Sequence, residues 1–205
     1  MKLYIRKIED YKEADTDLLE KARRTRLARI KNPKVRAECI AAGMLLREAL
    51  ADYGYPVGDN PLSIRYDEHG KPELSAQADD PDNCKTAPYF SLSHSGDIVV
   101  CAVDDEPIGA DVQVVKAVNV RLPKKVLSDN ELNDYNTIKE QKSEHEVERY
   151  FTVCWTEKES IAKLIGKGIG MVFREIKPEY FLMHTLERTI DNNEYVITTA
   201  QFRSI

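Results

Sequence analysis

The sequence predicts an α+β fold, because stretches with the two-residue period of a strand and stretches with helical periodicity both occur along it. Alternating apolar and polar residues open the chain at positions 1–7, and an apolar run at helical spacing follows Asn32. A hairpin pattern occupies residues 89–103. With 205 residues, of which 42% are hydrophobic, the chain is long enough for one good core or two small ones.

The first long helix is predicted after the opening strand. Asn32 is a good N-cap and Pro33 suits the first helical turn, while Gly54 stands where a glycine would end the helix. A loop is expected over residues 75–88, which are rich in Asp, Pro, Asn and Ala without periodicity. The apolar positions at helical spacing are Val35, Cys39, Ala42, Leu46, Leu50 and Tyr53.

A hairpin and a further strand are predicted next. Residues 89–93 and the apolar run 98–103 flank a turn at residues 95–97, and the second arm is expected to be buried. In the strand that follows, Gly109, Asp111 and Gln113 alternate with apolar residues and therefore share one face. We expect that face to be exposed.

The last third of the chain is predicted to contain two helices and two strands. Ser128 and Glu131 form a capping box at the start of a polar helix. A second helix is expected over residues 151–164, stopped by Gly166 and Gly168. Strands near residues 180–182 and 195–202 are expected to close the fold.

Composition and charge limit the class of protein. The chain has neither a signal-peptide pattern nor an apolar run of the roughly 18 residues that a membrane helix needs, so we expect a cytoplasmic protein. The scattered cysteines (Cys39, Cys84, Cys101 and Cys154) predict reduced, buried thiols. Although the net charge is −5, residues 21–36 hold eight cations and no acid. This basic run is either a solvated helix face or a site for a phosphate-rich ligand or an acidic protein. Its cations are Lys21, Arg23, Arg24, Arg26, Arg29, Lys31, Lys34 and Arg36.

Four short motifs follow one another in a fixed order. They are GKP at residues 70–72, FSLSHS at 90–95, IGADVQ at 108–113, and WTEKESIAK at 155–163 with GKG at 166–168. Together they resemble the 4'-phosphopantetheinyl transferases of the surfactin-synthetase-activating (Sfp) type. One such motif is a weak signal, whereas four in order are a strong one.

The resemblance implies a particular architecture. It predicts two similar halves of about a hundred residues, a size usual for small domains. The halves would be related by a pseudo-two-fold axis, and each would be a small antiparallel sheet with a long helix packed on it. Residues 1–104 would supply contacts to the phosphates of coenzyme A, and residues 105–205 the metal-binding carboxylates. The active site would lie in the cleft between them.

The resemblance also implies a magnesium site made by Asp111, Gln113 and Glu159. Relatives normally have a glutamate where this chain has Gln113, and a neutral amide oxygen should hold magnesium more weakly than a carboxylate. Glu159, directly or through a water on the metal, is the candidate base for the incoming serine hydroxyl. Lys163 is expected to contact the pyrophosphate and stabilise the leaving group. Asp111, Glu159 and Lys163 are thus the predicted catalytic residues.

Purely structural roles are the alternative for the same residues. Asp111 could be an ordinary strand-end carboxylate. Thr156 and Glu159 could form a capping box, and Glu159 with Lys163 is also an i,i+4 ion pair.

Contacts to coenzyme A are implied for six residues. Ser93 and His94 would hold its 3'-phosphate, and Lys71 would contact its phosphates from a turn. Arg36 is the nearest match to an arginine that relatives place against the 3'-phosphate. The full predicted set is Arg36, Lys71, Ser93, His94, Lys158 and Lys163.

The sequence therefore predicts an enzyme that transfers the 4'-phosphopantetheine arm of coenzyme A to a serine of an acyl or peptidyl carrier protein, with Mg²⁺ as cofactor. The carrier is expected to dock near Lys124, Lys125 and Val126 of a monomeric enzyme that binds neither nucleic acid nor membrane. A divergent coenzyme A-binding paralogue with little turnover is the main alternative, because of Gln113. A polyanion-binding module built on the basic run and a scaffold without a site are the others.

Overall fold

The computed structural model describes residues 1–75, 87–166 and 173–203, and contacts divide the chain into two compact units, Met1–Ile108 and Gly109–Ile205. Each unit combines helices with a small antiparallel sheet, so the predicted α+β class is confirmed. Nearly all of the loop expected over residues 75–88, including Cys84, lies outside the described residues. The other three cysteines are free and buried. Within the described ranges, no helix is long and apolar enough to cross a membrane.

In its described residues, the first unit contains a three-stranded sheet, a separate two-stranded ribbon and two α-helices. In the sheet β5 lies between β1 and β4, and every pair is antiparallel. The ribbon is formed by β2 and β3. The elements are β1 (Lys2–Lys7), α1 (Lys21–Leu27), α2 (Pro33–Tyr53), β2 (Ile64–Tyr66), β3 (Pro72–Leu74), β4 (Tyr89–Ser95) and β5 (Ile98–Asp104).

The predicted limits of α2 are confirmed. The side-chain oxygen of Asn32 accepts hydrogen bonds from the backbone N–H groups of Lys34 (2.9 Å) and Val35 (3.3 Å), as an N-cap should. Gly54 ends the helix with φ of 92°, a left-handed conformation that favours glycine. The apolar face of α2 packs on β5, whose residues 98–103 are completely buried. Of the predicted core positions, only Val35 is exposed, because it lies in the first turn.

The second unit is built around β6, β7 and β8. Here β8 lies between β6 and β7, again with antiparallel pairing throughout. The β7–β8 turn consists of Asp191 and Asn192, whose φ angles of 48° and 64° suit these two residue types. The elements are β6 (Gly109–Val114), α3 (Pro123–Val126), α4 (Asp129–Gln141), α5 (Glu144–Ile165), β7 (Phe181–Ile190) and β8 (Asn193–Phe202).

Helix α5 begins earlier than predicted. The Ser128–Glu131 capping box of α4 is confirmed, but a second box, formed by Ser143 and Glu146, opens α5 seven residues before the expected start. Gly166 ends the helix with φ of 81°, whereas Gly168 lies outside the described residues.

The close approach of α5 to β6 depends on Gly109. A Cβ atom at this position would lie 1.9 Å from the carbonyl oxygen of Ser160 and 2.6 Å from the backbone nitrogen of Leu164. Both atoms belong to the helix backbone, so no side-chain rotation could relieve the overlap. The missing side chain therefore sets the distance between α5 and the strand that carries Asp111.

Gly109→Ala is accordingly expected to lower the free energy of unfolding by at least about 1–3 kcal/mol, the usual cost of overpacking. Urea unfolding followed by circular dichroism measures this directly. An unchanged unfolding midpoint would show that α5 does not pack on the backbone of β6 at this point.

The two units have similar components. Each has a three-stranded antiparallel sheet and one long helix, of 21 residues in α2 and 22 in α5, packed on it. The expected pseudo-two-fold axis stays a prediction.

Candidate active site

Asp111 is buried, which corrects the prediction of an exposed face. It retains only 2% of its accessible surface, because α5 covers the face of β6 that carries Gly109 and Asp111. The alternating polar residues predicted an exposed face of β6, but that face packs against α5. On β8 the residue paired with Asp111 is Thr198, which is also buried. A carboxylate in such a place needs charge-assisted partners.

Two donors contact the two oxygens of Asp111. The ammonium of Lys163 lies 2.7 Å from Oδ1, and Nε2 of Gln113 donates to Oδ2 at 3.1 Å. Lys163 comes from α5 and Gln113 from the same strand as Asp111. Lys163 thus pairs with Asp111 across the helix–strand interface, and the i,i+4 interpretation does not account for this ion pair.

Glu159 lies close enough to these residues for their charges to act on it. Burial raises the pKa of its carboxyl group, the negative charge of Asp111 raises it further, and the positive charge of Lys163 opposes both. The capping-box alternative for Glu159 is wrong, since Thr156 lies inside α5 and its hydroxyl donates to the carbonyl of Thr152 at 2.6 Å. A partly buried glutamate beside an aspartate is suited to metal binding or proton transfer.

Lys158 does not match its predicted role in coenzyme A binding. Its side chain is completely buried, and the ammonium lies 2.6 Å from Oε2 of Glu131. It also donates to the carbonyl oxygens of Val126 (3.0 Å) and Phe173 (3.1 Å). All three N–H bonds therefore have protein acceptors, and the structure gives Lys158 a role in holding the second unit together.

The predicted coenzyme A residues of the first unit lie on several elements. Arg36 is exposed in the first turn of α2 and donates to the carbonyl of Leu27 at 2.8 Å. Lys71 follows Gly70, whose φ is 85°, in the turn between β2 and β3. Its backbone N–H donates to Oδ1 of Asp67 at 2.8 Å, and burial lowers the pKa of its ammonium. Lys71 also lines a cavity of about 260 Å³ with Tyr89.

Ser93 and His94 lie side by side on β4. Ser93 is buried and His94 is exposed, with its Nδ1 3.8 Å from Oε2 of Glu38 on α2. Glu38 was missed at the level of sequence, because only the packing of α2 against β4 relates it to His94. The protonated form of this imidazole is the one that would attract a phosphate.

The expected docking residues differ in exposure. Lys124 and Lys125 are exposed on α3, but Val126 retains 3% of its surface and packs in a core cluster with Phe151. Val126 therefore cannot receive a partner protein. An apolar pocket of about 240 Å³, which includes Gln113 in its lining, is more accessible than Val126. Its apolar lining is Val114, Ala117, Val118, Leu122, Phe151 and Trp155.

The side chains fit a magnesium ion that also takes oxygens from its substrate. Within residues 1–75, 87–166 and 173–203, no three His, Cys, Asp or Glu side chains are grouped to hold a metal. Asp111 and Glu159 supply two carboxylates, and the third predicted ligand, Gln113, is an amide. Magnesium commonly binds one or two carboxylates together with phosphate oxygens and waters, so the donor set suits it.

Comparison with known proteins shows a family resemblance in the second unit. A sequence model of the 4'-phosphopantetheinyl transferase superfamily matches residues 107–199, which is nearly all of the second unit and includes Asp111, Gln113, Glu159 and Lys163. This part of the chain is therefore similar to the superfamily, as the order of the motifs predicted.

Among known proteins, the chain is similar to transferases of the Sfp type. It is 35% identical over 130 residues to a 4'-phosphopantetheinyl transferase of Bacillus subtilis, covering 62% of this chain and 51% of the relative. It is 31% identical over 129 residues to Sfp of Bacillus subtilis strain 168, covering 63% and 52%. A shorter match, to psf-1 of Bacillus pumilus, is 42% identical over 82 residues, covering 40% and 34%. The predicted resemblance is confirmed, and the matched part spans about half the length of the first two relatives.

Glu159→Gln is expected to stabilise the metal-free protein at neutral pH. Because the folded protein raises the pKa of Glu159, stability falls as the pH rises above the ordinary glutamate pKa of about 4.3, and the loss persists at neutral pH. A glutamine cannot ionise and avoids this loss. Thermal unfolding in chelator should show a higher melting temperature for Glu159→Gln than for wild type at pH 7 and a smaller difference at pH 4.

Glu13→Gln removes the same charge from an exposed turn and serves as the control. A Glu159→Gln protein that is less stable than wild type at both pH values would contradict the expected electrostatic strain.

Proposed function

We propose that this protein transfers the 4'-phosphopantetheine arm of coenzyme A to a serine of an acyl or peptidyl carrier protein and releases 3',5'-ADP. The observation that carries the proposal is the grouping of Asp111, Glu159 and Lys163 in the part of the chain that matches the superfamily. The names of the relatives also favour a transferase over a coenzyme A-binding paralogue without turnover.

The chemistry is a displacement at phosphorus. The serine oxygen of the carrier attacks the β-phosphorus of coenzyme A, a new P–O bond forms, and the bond to the 3',5'-ADP oxygen breaks. Glu159 takes the proton of the serine hydroxyl, and its raised pKa makes it a stronger base than an ordinary glutamate. Lys163 stabilises the negative charge that develops on the leaving group.

Magnesium is the proposed cofactor, held by Asp111 and Glu159 with Gln113 as a neutral third ligand. When bound it would neutralise the charge of the pyrophosphate. Phosphate contacts in the first unit are assigned to Arg36, Lys71, Ser93 and His94. Lys158 is left out, because its ammonium is buried among three acceptors.

The carrier is proposed to meet the exposed cations Lys124 and Lys125, since such carriers are acidic. The expected cytoplasmic location and monomeric state belong to the same proposal.

The test is mass spectrometry of a purified apo carrier protein incubated with this protein, coenzyme A and magnesium. We expect one phosphopantetheine to be added to the carrier serine, and the gain to disappear with a chelator. Absence of modification on several acyl and peptidyl carriers, with coenzyme A binding intact, would favour the paralogue without turnover.

A further inference from the structure

We infer that magnesium binds this protein only together with coenzyme A, because Lys163 and Gln113 take the place of a metal on Asp111 until the pyrophosphate arrives. This inference rests on the proposed function. It concerns Gln113, the neutral member of the proposed ligand set.

The contacts of Asp111 are the first step. Its two oxygens accept hydrogen bonds from the ammonium of Lys163 at 2.7 Å and from the amide of Gln113 at 3.1 Å. The carboxylate retains only 2% of its surface. A buried, charge-assisted pair of this kind is strong, and a metal would have to displace one of its members. Of the two partners of Asp111, Lys163 is the one more easily displaced, since its side chain is 30% exposed.

The charge of the site is the second step. Asp111 and Glu159 carry two negative charges and Lys163 one positive charge, while Gln113 adds none. Affinity for a hard cation rises with the negative charge of the ligands, so the site alone holds magnesium weakly. A pyrophosphate changes both the charge of the ligand set and the contacts of Asp111. Its oxygens bind magnesium, and they also attract the ammonium of Lys163 away from Asp111.

A glutamate at position 113 should remove this dependence. Gln113→Glu replaces the amide donor with a third carboxylate beside Asp111. Without metal, the two adjacent carboxylates repel each other and lower the stability. With magnesium, the three carboxylates form a site that needs no pyrophosphate. Gln113 therefore couples the metal to the substrate.

The experiment measures magnesium binding rather than turnover. Isothermal titration and melting temperatures in chelator and in millimolar MgCl2 are compared for wild type and Gln113→Glu, each with and without coenzyme A. Wild type should gain melting temperature from magnesium only when coenzyme A is present. Gln113→Glu should bind magnesium alone, with a dissociation constant at least about tenfold lower than that of wild type.

Three further variants make the result specific. Lys163→Met should also bind magnesium alone, because Asp111 loses its ammonium partner. Asp111→Asn combined with Gln113→Glu should lose that binding. Gln141→Glu adds the same charge at an exposed position of α4 and should behave as wild type.

The inference is overturned if wild type binds magnesium alone as tightly as Gln113→Glu, or if neither of them binds it alone. Failure of the proposed function looks different, since no carrier would then gain mass whatever the metal affinity of the protein.

Discussion

Asp111→Asn is expected to reduce transfer of phosphopantetheine to a carrier protein by at least about a hundredfold, the loss typical when an electrostatic group at a reacting centre is removed. The change replaces one carboxylate oxygen with an NH2 group of similar size. It removes a proposed metal ligand, and it also removes the negative charge that raises the pKa of Glu159. Both effects act against the reaction.

The fold should survive this substitution. Asparagine keeps an acceptor for the ammonium of Lys163. The lysine side chain is also 30% exposed and can be hydrated. We expect a modest fall in melting temperature and coenzyme A binding close to that of wild type in chelator. Asp129→Asn, at an exposed position in the first turn of α4, is the matched control. Full transfer by Asp111→Asn would remove Asp111 from the proposed site.

Features that depend on neighbouring residues were predictable from the sequence. The cap formed by Asn32, the left-handed Gly54 and the Ser128–Glu131 capping box each rest on contacts within a few positions of the chain. The buried strand β5 was equally clear, because six consecutive apolar residues follow a turn at Gly96.

Features that depend on packing between distant elements were not predictable in the same way. The polar face of β6 was expected to be exposed, since alternation shows which residues share a face but not what covers it. The start of α5 was missed because residues 144–150 are mostly polar, and the box formed by Ser143 and Glu146 is the signal that could have located it.

Lys158 was misjudged by its residue type. Lysine is rarely buried, and a lysine in a motif that resembles a phosphate-binding enzyme suggests a phosphate contact. Its position in α5 gives the opposite signal. Lys158 lies four residues after Cys154 and three before Ile161, both of which are buried, and is therefore on the apolar face of the helix.

Lys158→Ala is expected to lower the free energy of unfolding by about 3–5 kcal/mol, which is the usual result of removing one partner of a buried ion pair. The substitution leaves the carboxylate of Glu131 and the carbonyls of Val126 and Phe173 without this ammonium donor. Urea unfolding of the whole protein measures the loss. Lys124→Ala removes an exposed lysine of α3 and should change the stability little.

A double variant separates the buried charge from the lost contacts. In Lys158→Met with Glu131→Gln, methionine fills most of the volume of the lysine, and glutamine keeps an acceptor for the backbone N–H of Ser128, which Glu131 binds at 2.6 Å. Because no unpaired charge remains, this variant should recover much of the stability lost in Lys158→Ala. If Lys158 instead contacted a phosphate of coenzyme A, a different pattern would be expected. Lys158→Ala would then be about as stable as Lys124→Ala and would instead bind coenzyme A more weakly.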